Sequence, residues 1–410
     1  MKIKLLLAVL CFPLMAFGLE VSNLKCEYLE NPQGIDVLQP RLSWRMKPEG
    51  GNLKPEKGQK QTAYQVIVAS SENLLATGKG DLWDSGKVKS NQSVHVVYDG
   101  KELSSRTECY WKVRVWPALS GVEGDGRKKS AWSDPANWTM GLLDEDQWKA
   151  KWISIKREEQ HLNCKNSPML RKTFKLEKKI RTAQISICGL GYYEMYLNGA
   201  KVGDHVLDPT WTSYHKSAHY VTYDISKELK KGGNALGVQL ANGVYNQGFW
   251  DAWKFHNAPW KAFPQMLLQL DVVYDDGSKE SIVSDESWKA STGPITWDML
   301  RMGVMYDARR EQPGWATAGF DDSKWTPAII REGIKGKLSA QMSEPIKVMK
   351  TLEAKNITEN NGVYTVDFGQ NIAGWTRIKA KGEAGTAITL DHGRHSLVKG
   401  KPLQTSIYTL

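Results

Sequence analysis

The sequence is poor in the things that most enzymes show first. Over 410 residues no amphipathic helix of real length appears, no segment repeats at a fixed period, and no tract is of low complexity. There is no HExxH pair, no glycine-rich phosphate loop and no GxSxG elbow, which removes the common zinc-protease, nucleotide and serine-hydrolase readings. Cysteine is scarce, with five copies, and Cys26, Cys109, Cys164 and Cys188 stand at spacings that fit no zinc or redox motif. Cys109 and Cys188 lie in strand-like runs and are expected as small core residues, while a Cys164–Cys188 pair is left open. Phenylalanine is also scarce, at 8 copies, against 17 tryptophans, and tryptophans in such number divide between cores and ligand-stacking surfaces. The net charge of +10 is scattered. Its densest runs, KKIR (178–181) and GRKKS (126–130), are short and sit at turns, so no nucleic-acid face is expected.

Apart from the N-terminus, no run is apolar enough to cross a membrane, and no membrane span is expected. There, MKIK leads into LLLAVLCFPLMAF and small residues at Ala16 and Gly18. This is the pattern of a secretory signal over residues 1–18, too short for a span. Cys11 lies inside the apolar run, behind Leu10, so soluble export to the periplasm or the extracellular space is the reading rather than a lipoprotein.

What is present is strand and turn. Hydrophobic residues at 41% and charged residues at 24% mark an ordinary globular chain, long enough for about two to three domains. The runs TAYQVIVAS (62–70), SVHVVYDG (93–100) and CYWKVRVWP (109–117) alternate and are bounded by turn residues. They predict a fibronectin type III-like sandwich over 19–143. A second block over 150–332 carries marked turns at Asn198-Gly199 and Asp276-Gly277, and reads as a jelly roll. Within it Tyr193, Met195 and Leu197 share one face of a strand and Tyr192, Glu194 and Tyr196 the other. A third β region over 346–410, with VYTVDFG and WTRIKAKG as strands, reads as the start of a further, truncated sandwich. The fold class is thus all-β, a multidomain chain of β-sandwiches.

Three stretches carry a resemblance: YLNGAKVGDHVLDPTWTSY (196–214), MYDARREQPGW (305–315) and VDFGQNIAGWTRIKAKGEAGTAITLDHG (366–393). Together with the earlier pattern PRLSWRM…TAYQVIVAS…LWDSGKV…CYWKVRVW (40–116), they resemble the N-terminal half of bacterial α-L-rhamnosidases of glycoside hydrolase family 78. Departures occur at Val304 after Gly303, at Val244 in Ala241-Asn242-Gly243-Val244-Tyr245, and at His392-Gly393-Arg394-His395. The resemblance implies an inverting hydrolase of terminal α-L-rhamnose in plant glycans. Its acid and base stand on an (α/α)₆ barrel that follows the β domains. Inverting carboxyls stand about 6.5–9.5 Å apart with water between them. These 410 residues contain no such helical region, so no catalytic residue is assigned and the chain alone is expected to be inactive. The downstream helical domain is the partner implied.

The carboxylate pairs here, Asp275-Asp276, Asp321-Asp322, Glu158-Glu159 and Asp144-Glu145-Asp146, fall at turns and charged loops and read as structural. His392 and His395, three apart on a strand, face opposite sides and cannot share a metal. Sugars present C–H faces that stack on aromatic rings, with amide, carboxylate and guanidinium groups binding hydroxyls at the rim. The candidate carbohydrate contacts are Trp211, Tyr214, Asn242, Tyr245, Trp250, Trp253, Asp307 and Arg309, and rhamnose-containing glycans are the expected ligands. Packing at a sandwich edge is the competing role for the aromatics. A family jelly roll can bind rhamnose with calcium, but no calcium ligand set maps onto these residues, and no cofactor is assigned. Three readings stay open: the accessory β half of an exported rhamnosidase, a stand-alone carbohydrate-binding protein, and a structural surface module.

Overall fold

The computed structural model describes residues 19–48, 59–119, 129–156, 166–248, 253–393 and 404–410. The signal segment 1–18 with Cys11, the Glu158-Glu159 pair, Cys164, Trp250 and His395 lie outside the described residues. The chain divides into two compact units, residues 1–32 with 37–140, and residues 33–36 with 141–410.

In the first unit TAYQVIVAS and CYWKVRVWP lie in strands, while of SVHVVYDG only Val96–Val97 pairs. Gln59–Ala69 pairs antiparallel with Glu108–Leu119, which pairs in turn with Ala136–Thr139, and Trp83–Asp84 closes the other edge. A second sheet joins Leu19–Cys26, Arg41–Pro48 and Val96–Val97. Trp111, Trp138, Val66, Val68, Val113 and Val115 are buried, as the two-residue period requires. Ile67 and Ala69 face the other way, against Leu75 of the short helix Glu72–Ala76. The buried Gln61 accepts from the Trp44 indole at 3.0 Å and donates to the carbonyls of Ser90 and Gln92 at 3.1 and 2.7 Å, which fixes a loop to the sheet.

The second unit is built on two facing sheets. One runs in the order Ile329–Ile330, Ile153–Ser154, Gln265–Tyr274, Ile180–Leu190, Ser217–Asp224, Lys337–Ala340, with Lys279–Val283 also on Gln265–Tyr274. The other runs Ala200–Lys201, Tyr192–Leu197, Gly232–Ala241, Pro168–Leu176, Lys289–Thr292, Thr326–Pro327. Their inner faces meet in one core that includes Ile185, Ile187, Leu268 and Leu270 from the first sheet and Leu170, Tyr193, Met195, Leu197 and Val238 from the second. Asn198-Gly199 makes the hairpin between Tyr192–Leu197 and Ala200–Lys201, with φ of +52° and +88°, the mirror-image turn that matches strand twist. At Asp276-Gly277 only the glycine has positive φ, +82°, because three residues rather than two bridge the paired Tyr274 and Ser278.

Both sheets are also covered on their outer faces. Behind the first, Cys188, Leu190, Tyr214, Ala218, Tyr220, Tyr245 and Ala340 form a second buried layer. This accounts for the nearly unbroken burial along Ile180–Leu190 and Gln265–Tyr274. Behind the other sheet lies the excursion from 308 to 325, held by Arg171. That guanidinium is fully buried, pairs with Asp322, and donates to the carbonyls of Trp315 and Thr317 at 2.8 Å each.

Residues 295–307 fall in chain order inside the second block, yet they pair elsewhere. The hairpin Ile295–Met299 and Gly303–Asp307 joins Gln404–Thr409 and Ala387–His392 in a four-stranded sheet, with Gly303–Asp307 parallel to Gln404–Thr409. Gly303 makes this approach feasible: its φ is +110°, and a Cβ there would stand 1.9 Å from the Thr405 carbonyl oxygen. A separate hairpin, Asn356–Asn360 with Val363–Asp367, turns at Asn361-Gly362. VYTVD is thus a strand as expected, but WTRIKAKG (375–382) is not one. A strand needs a neighbour for its backbone hydrogen bonds, and no described strand pairs with this stretch.

The described cysteines Cys26, Cys109 and Cys188 are free and buried, and burial pushes each thiol pKa up. They are expected to escape iodoacetamide in the folded chain at about pH 8 and to react after denaturation, which mass spectrometry checks. Arg171→Ala is expected to lower stability by about 3–5 kcal/mol, since it strands Asp322 and two carbonyls. Urea unfolding followed by tryptophan fluorescence reads that loss.

Candidate functional site

The loop after Tyr192–Leu197 leads to the first two aromatic candidates. It is pinned at several points. The short strand His205–Val206 pairs with Ile346–Lys347. Asp208 is buried, and its carboxylate accepts from the Tyr223 hydroxyl at 2.8 Å and meets His205 Nδ1 at 2.7 Å. The Thr210 amide donates to Gln341 at 2.7 Å, and the Thr212 hydroxyl donates to the Ser217 carbonyl. The acid beside the aromatics is therefore fully engaged in holding the loop.

From this loop an aromatic row runs from solvent into the outer layer of the first sheet. Trp211 is 45% exposed and meets Phe255 edge-on at 5.4 Å between ring centroids. Phe255 lies 6.4 Å from Trp260, and Trp260 stacks on His215 at 5.4 Å with planes 4° apart. Trp260 then reaches Tyr214 at 6.0 Å, and Tyr214 reaches Tyr245 at 5.0 Å. Tyr214 and Tyr245 are buried, and burial raises both phenol pKa values, so both rings stay neutral in ordinary buffers. The Tyr245 hydroxyl accepts from Gln265 at 2.8 Å, while the other amide atom of Gln265 and the Trp260 indole nitrogen are buried without a hydrogen-bond partner.

The structure thus brings Trp211, Tyr214 and Tyr245 into one row. It does not bring the remaining described candidates into it. Trp253 is 58% exposed and carries the Arg301 guanidinium 3.5 Å above its ring. Asn242 is buried; its backbone and side-chain amides donate to the Asp298 carboxylate at 2.9 and 2.8 Å, and it accepts from Asn246 at 2.5 Å. Asp307 and Arg309 are locked to each other through two bonds of 2.8 and 2.9 Å, and that pairing holds the Asp307 carboxyl below the usual range. Phe255, Trp260 and His215 escaped the sequence reading. Phe255 and Trp260 lie in KFHNAPWK (254–261), directly after the tryptophans it singled out, and no local pattern separates them from packing residues.

The carboxylate pairs have other duties. Asp276 binds Lys178 and caps the turn at Ser278, Asp275 binds Lys179, Asp321 accepts from the Ser323 amide, and Asp322 binds Arg171 and Lys289. Among the described residues no three His, Cys, Asp or Glu side chains gather as metal ligands, so no calcium site is assigned.

Three family models match the chain in succession. The Rha78A-like N-terminal immunoglobulin domain matches residues 21–144, the α-L-rhamnosidase N-terminal domain residues 178–350, and the bacterial α-L-rhamnosidase concanavalin-like domain residues 357–402. An α-L-rhamnosidase of Formosa agariphila is 38% identical over 430 aligned positions, which cover 97% of this chain and 43% of the relative. Among solved structures, the α-L-rhamnosidase from Dictyoglumus thermophilum matches 95% of this chain and 44% of its own, at 38% identity and a TM-score of 0.81. The Streptomyces avermitilis α-L-rhamnosidase complexed with L-rhamnose matches 96% of this chain and 54% of its own, at 27% identity and a TM-score of 0.84. The chain therefore spans about half the length of the relatives it matches. By three successive domain matches and by likeness to solved members over nearly its whole length, this chain belongs to the α-L-rhamnosidase family and carries that family's N-terminal domains.

Proposed function

We propose that this chain is the accessory, non-catalytic β portion of an exported α-L-rhamnosidase acting on terminal α-L-rhamnose of plant glycans. Cleavage on this reading depends on a helical catalytic domain, and the described residues are nearly all strand and turn. The observation that carries the reading is the state of the acids. The pairs Asp275-Asp276 and Asp321-Asp322 are engaged in turns and ion pairs, and Asp144 accepts from the Gln147 side chain, whereas an inverting site needs two carboxyls about 6.5–9.5 Å apart in a pocket, one protonated and one ionised. The relatives named as α-L-rhamnosidases are about twice as long, which leaves room for such a domain.

Glycan contact is the second part of the proposal. Trp211 offers an exposed indole at the open end of a rigid row, and rigid aromatics lose little freedom on binding. L-rhamnose is bound in the Streptomyces structure, so rhamnose-bearing glycans are the first ligands to try. Tyr214 and Tyr245 serve as support beneath that surface rather than as contacts, since both are buried and packed, and Asn242 is buried against Asp298 apart from the row.

Two measurements test these parts separately. Incubation of the purified chain with rhamnosylated oligosaccharides is expected to release no rhamnose above buffer, and clear turnover would end the non-catalytic reading. Calorimetric titration with the same sugars, with and without calcium, is expected to give saturable heat that Trp211→Ala abolishes. A flat titration removes the glycan role.

The same substitutions separate surface from support in stability. Trp211→Ala is expected to cost only about 0.5–1.5 kcal/mol, the scale of one aromatic pair. Tyr214→Ala is expected to cost about 3–5 kcal/mol, the scale of an emptied core site. Thermal unfolding of the two variants compares them.

A further inference from the structure

The outer face of the four-stranded sheet in the first unit carries a ladder of cations held on indole rings. Lys112, Arg114 and Trp116 take alternate positions on Glu108–Leu119, so they project from the face opposite the buried Trp111, Val113 and Val115. Trp132 joins them from the stretch that leads into Ala136–Thr139, and Lys87 from the loop after Trp83–Asp84. The Arg114 guanidinium lies 4.4 Å from the ring centroid of Trp132 and 5.6 Å from that of Trp116. Lys112 lies 5.3 Å from Trp132, and Lys87 lies 4.7 Å from Trp116. Each indole thus carries two cations, and Arg114 is shared between them. These residues come from three separate stretches, so charge that is scattered in the sequence is gathered here by the sheet.

No acid offsets it. Arg114 donates to the Gln65 side chain at 3.0 and 2.6 Å, and it is the amide of Gln65, not Arg114, that reaches Asp84, at 2.7 Å. Lys112 donates to the Leu75 carbonyl of the short helix at 2.7 Å. Among the described residues no carboxylate forms an ion pair with Lys87, Lys112 or Arg114. Burial and the neighbouring guanidinium lower the Lys112 ammonium pKa from its usual value, as like charges held together without an acid do. Cations already seated on aromatic rings lose little further freedom when an anion meets them. The rings also space the charges apart instead of turning them onto one point, which fits a chain of repeated anionic groups better than a single ion. The indoles are engaged with cations, unlike the open platforms on which nucleobases stack.

We propose that this ladder is a docking surface for an acidic polysaccharide, whose carboxylate or sulfate groups pair with Lys87, Arg114 and Lys112. The choice of a polysaccharide among polyanions rests on the glycan-hydrolase reading above. The surface lies in the first unit and does not involve Trp211, so a flat titration with neutral rhamnosylated sugars leaves it standing.

Calorimetric titration of the purified chain tests it. Polygalacturonate and dextran sulfate are the carboxylated and sulfated probes, neutral dextran is the uncharged one, and duplex DNA is the competing polyanion. At low salt at least one acidic polysaccharide is expected to bind and dextran is not. Raising the salt about sixfold is expected to weaken that binding at least about tenfold, because exposed ion pairs are screened. Lys87→Gln/Arg114→Gln is expected to weaken it at least about tenfold. Lys87→Gln alone changes an exposed side chain and is expected to keep the parent melting temperature and weaken binding about threefold, so it decides the matter if the double variant does not fold. Lys230→Gln/Lys231→Gln removes the same charge from an exposed part of the second unit and is expected to change nothing. Tighter binding of polygalacturonate supports the proposal with carboxylate as the group read, and tighter binding of dextran sulfate supports it with sulfate. No saturable binding of either, an equal loss in the Lys230/Lys231 variant, or DNA bound as tightly as the polysaccharides each overturns it.

Discussion

One buried cation sets much of the second unit. Arg171 stands on the outer face of a sheet, in the central strand Pro168–Leu176, with its side chain shut off from water. A charge in that setting must be met by an acid and by carbonyl oxygens, or the region does not close. Asp322 and the carbonyls of Trp315 and Thr317 meet it, and all of them belong to an excursion of the chain that has almost no regular structure of its own. The excursion then brings Trp315 against Tyr196 and Trp325, and Phe320 beneath the guanidinium. A loop that would otherwise depend on weak local contacts becomes a lid on the sheet.

The opposite sheet is covered by a different device. There the layer is apolar, made of Tyr214, Tyr220, Tyr245 and their neighbours, and the loop carrying Trp211 is fixed above it by Asp208, Tyr223 and Gln341. Such a layer gives an exposed aromatic a stiff mount. On the proposed glycan role, a stiff mount reduces the entropy lost on contact. Asp208, Asp276 and Asp322 each hold a loop or turn in place.

The hairpin at 356–367 stands outside both arrangements. Its turn is well formed, and Ile357, Val363, Tyr364 and Val366 are all exposed. Local chemistry is enough to make the turn and the pairing, but burial requires a second layer.

Much of this architecture was legible in the amino-acid order. Period-two alternation, glycine and asparagine at turns, and the absence of helical spacing act over a few residues, so they determine an all-β chain and the hairpin at Asn198-Gly199 without reference to distant partners. Family kinship was legible too, because long motifs in a single order are specific. Other features depended on the tertiary fold. Tyr214 and Trp211 are three residues apart and look equivalent in sequence, yet Trp260 and Tyr245 enclose one and leave the other in solvent. The pairing of residues 303–307 with 404–409, and the loss of the strand expected at 375–382, likewise turn on which segment lies alongside. Strand character is a property of the local chain, but burial and pairing belong to two segments at once, and only folding decides which two meet.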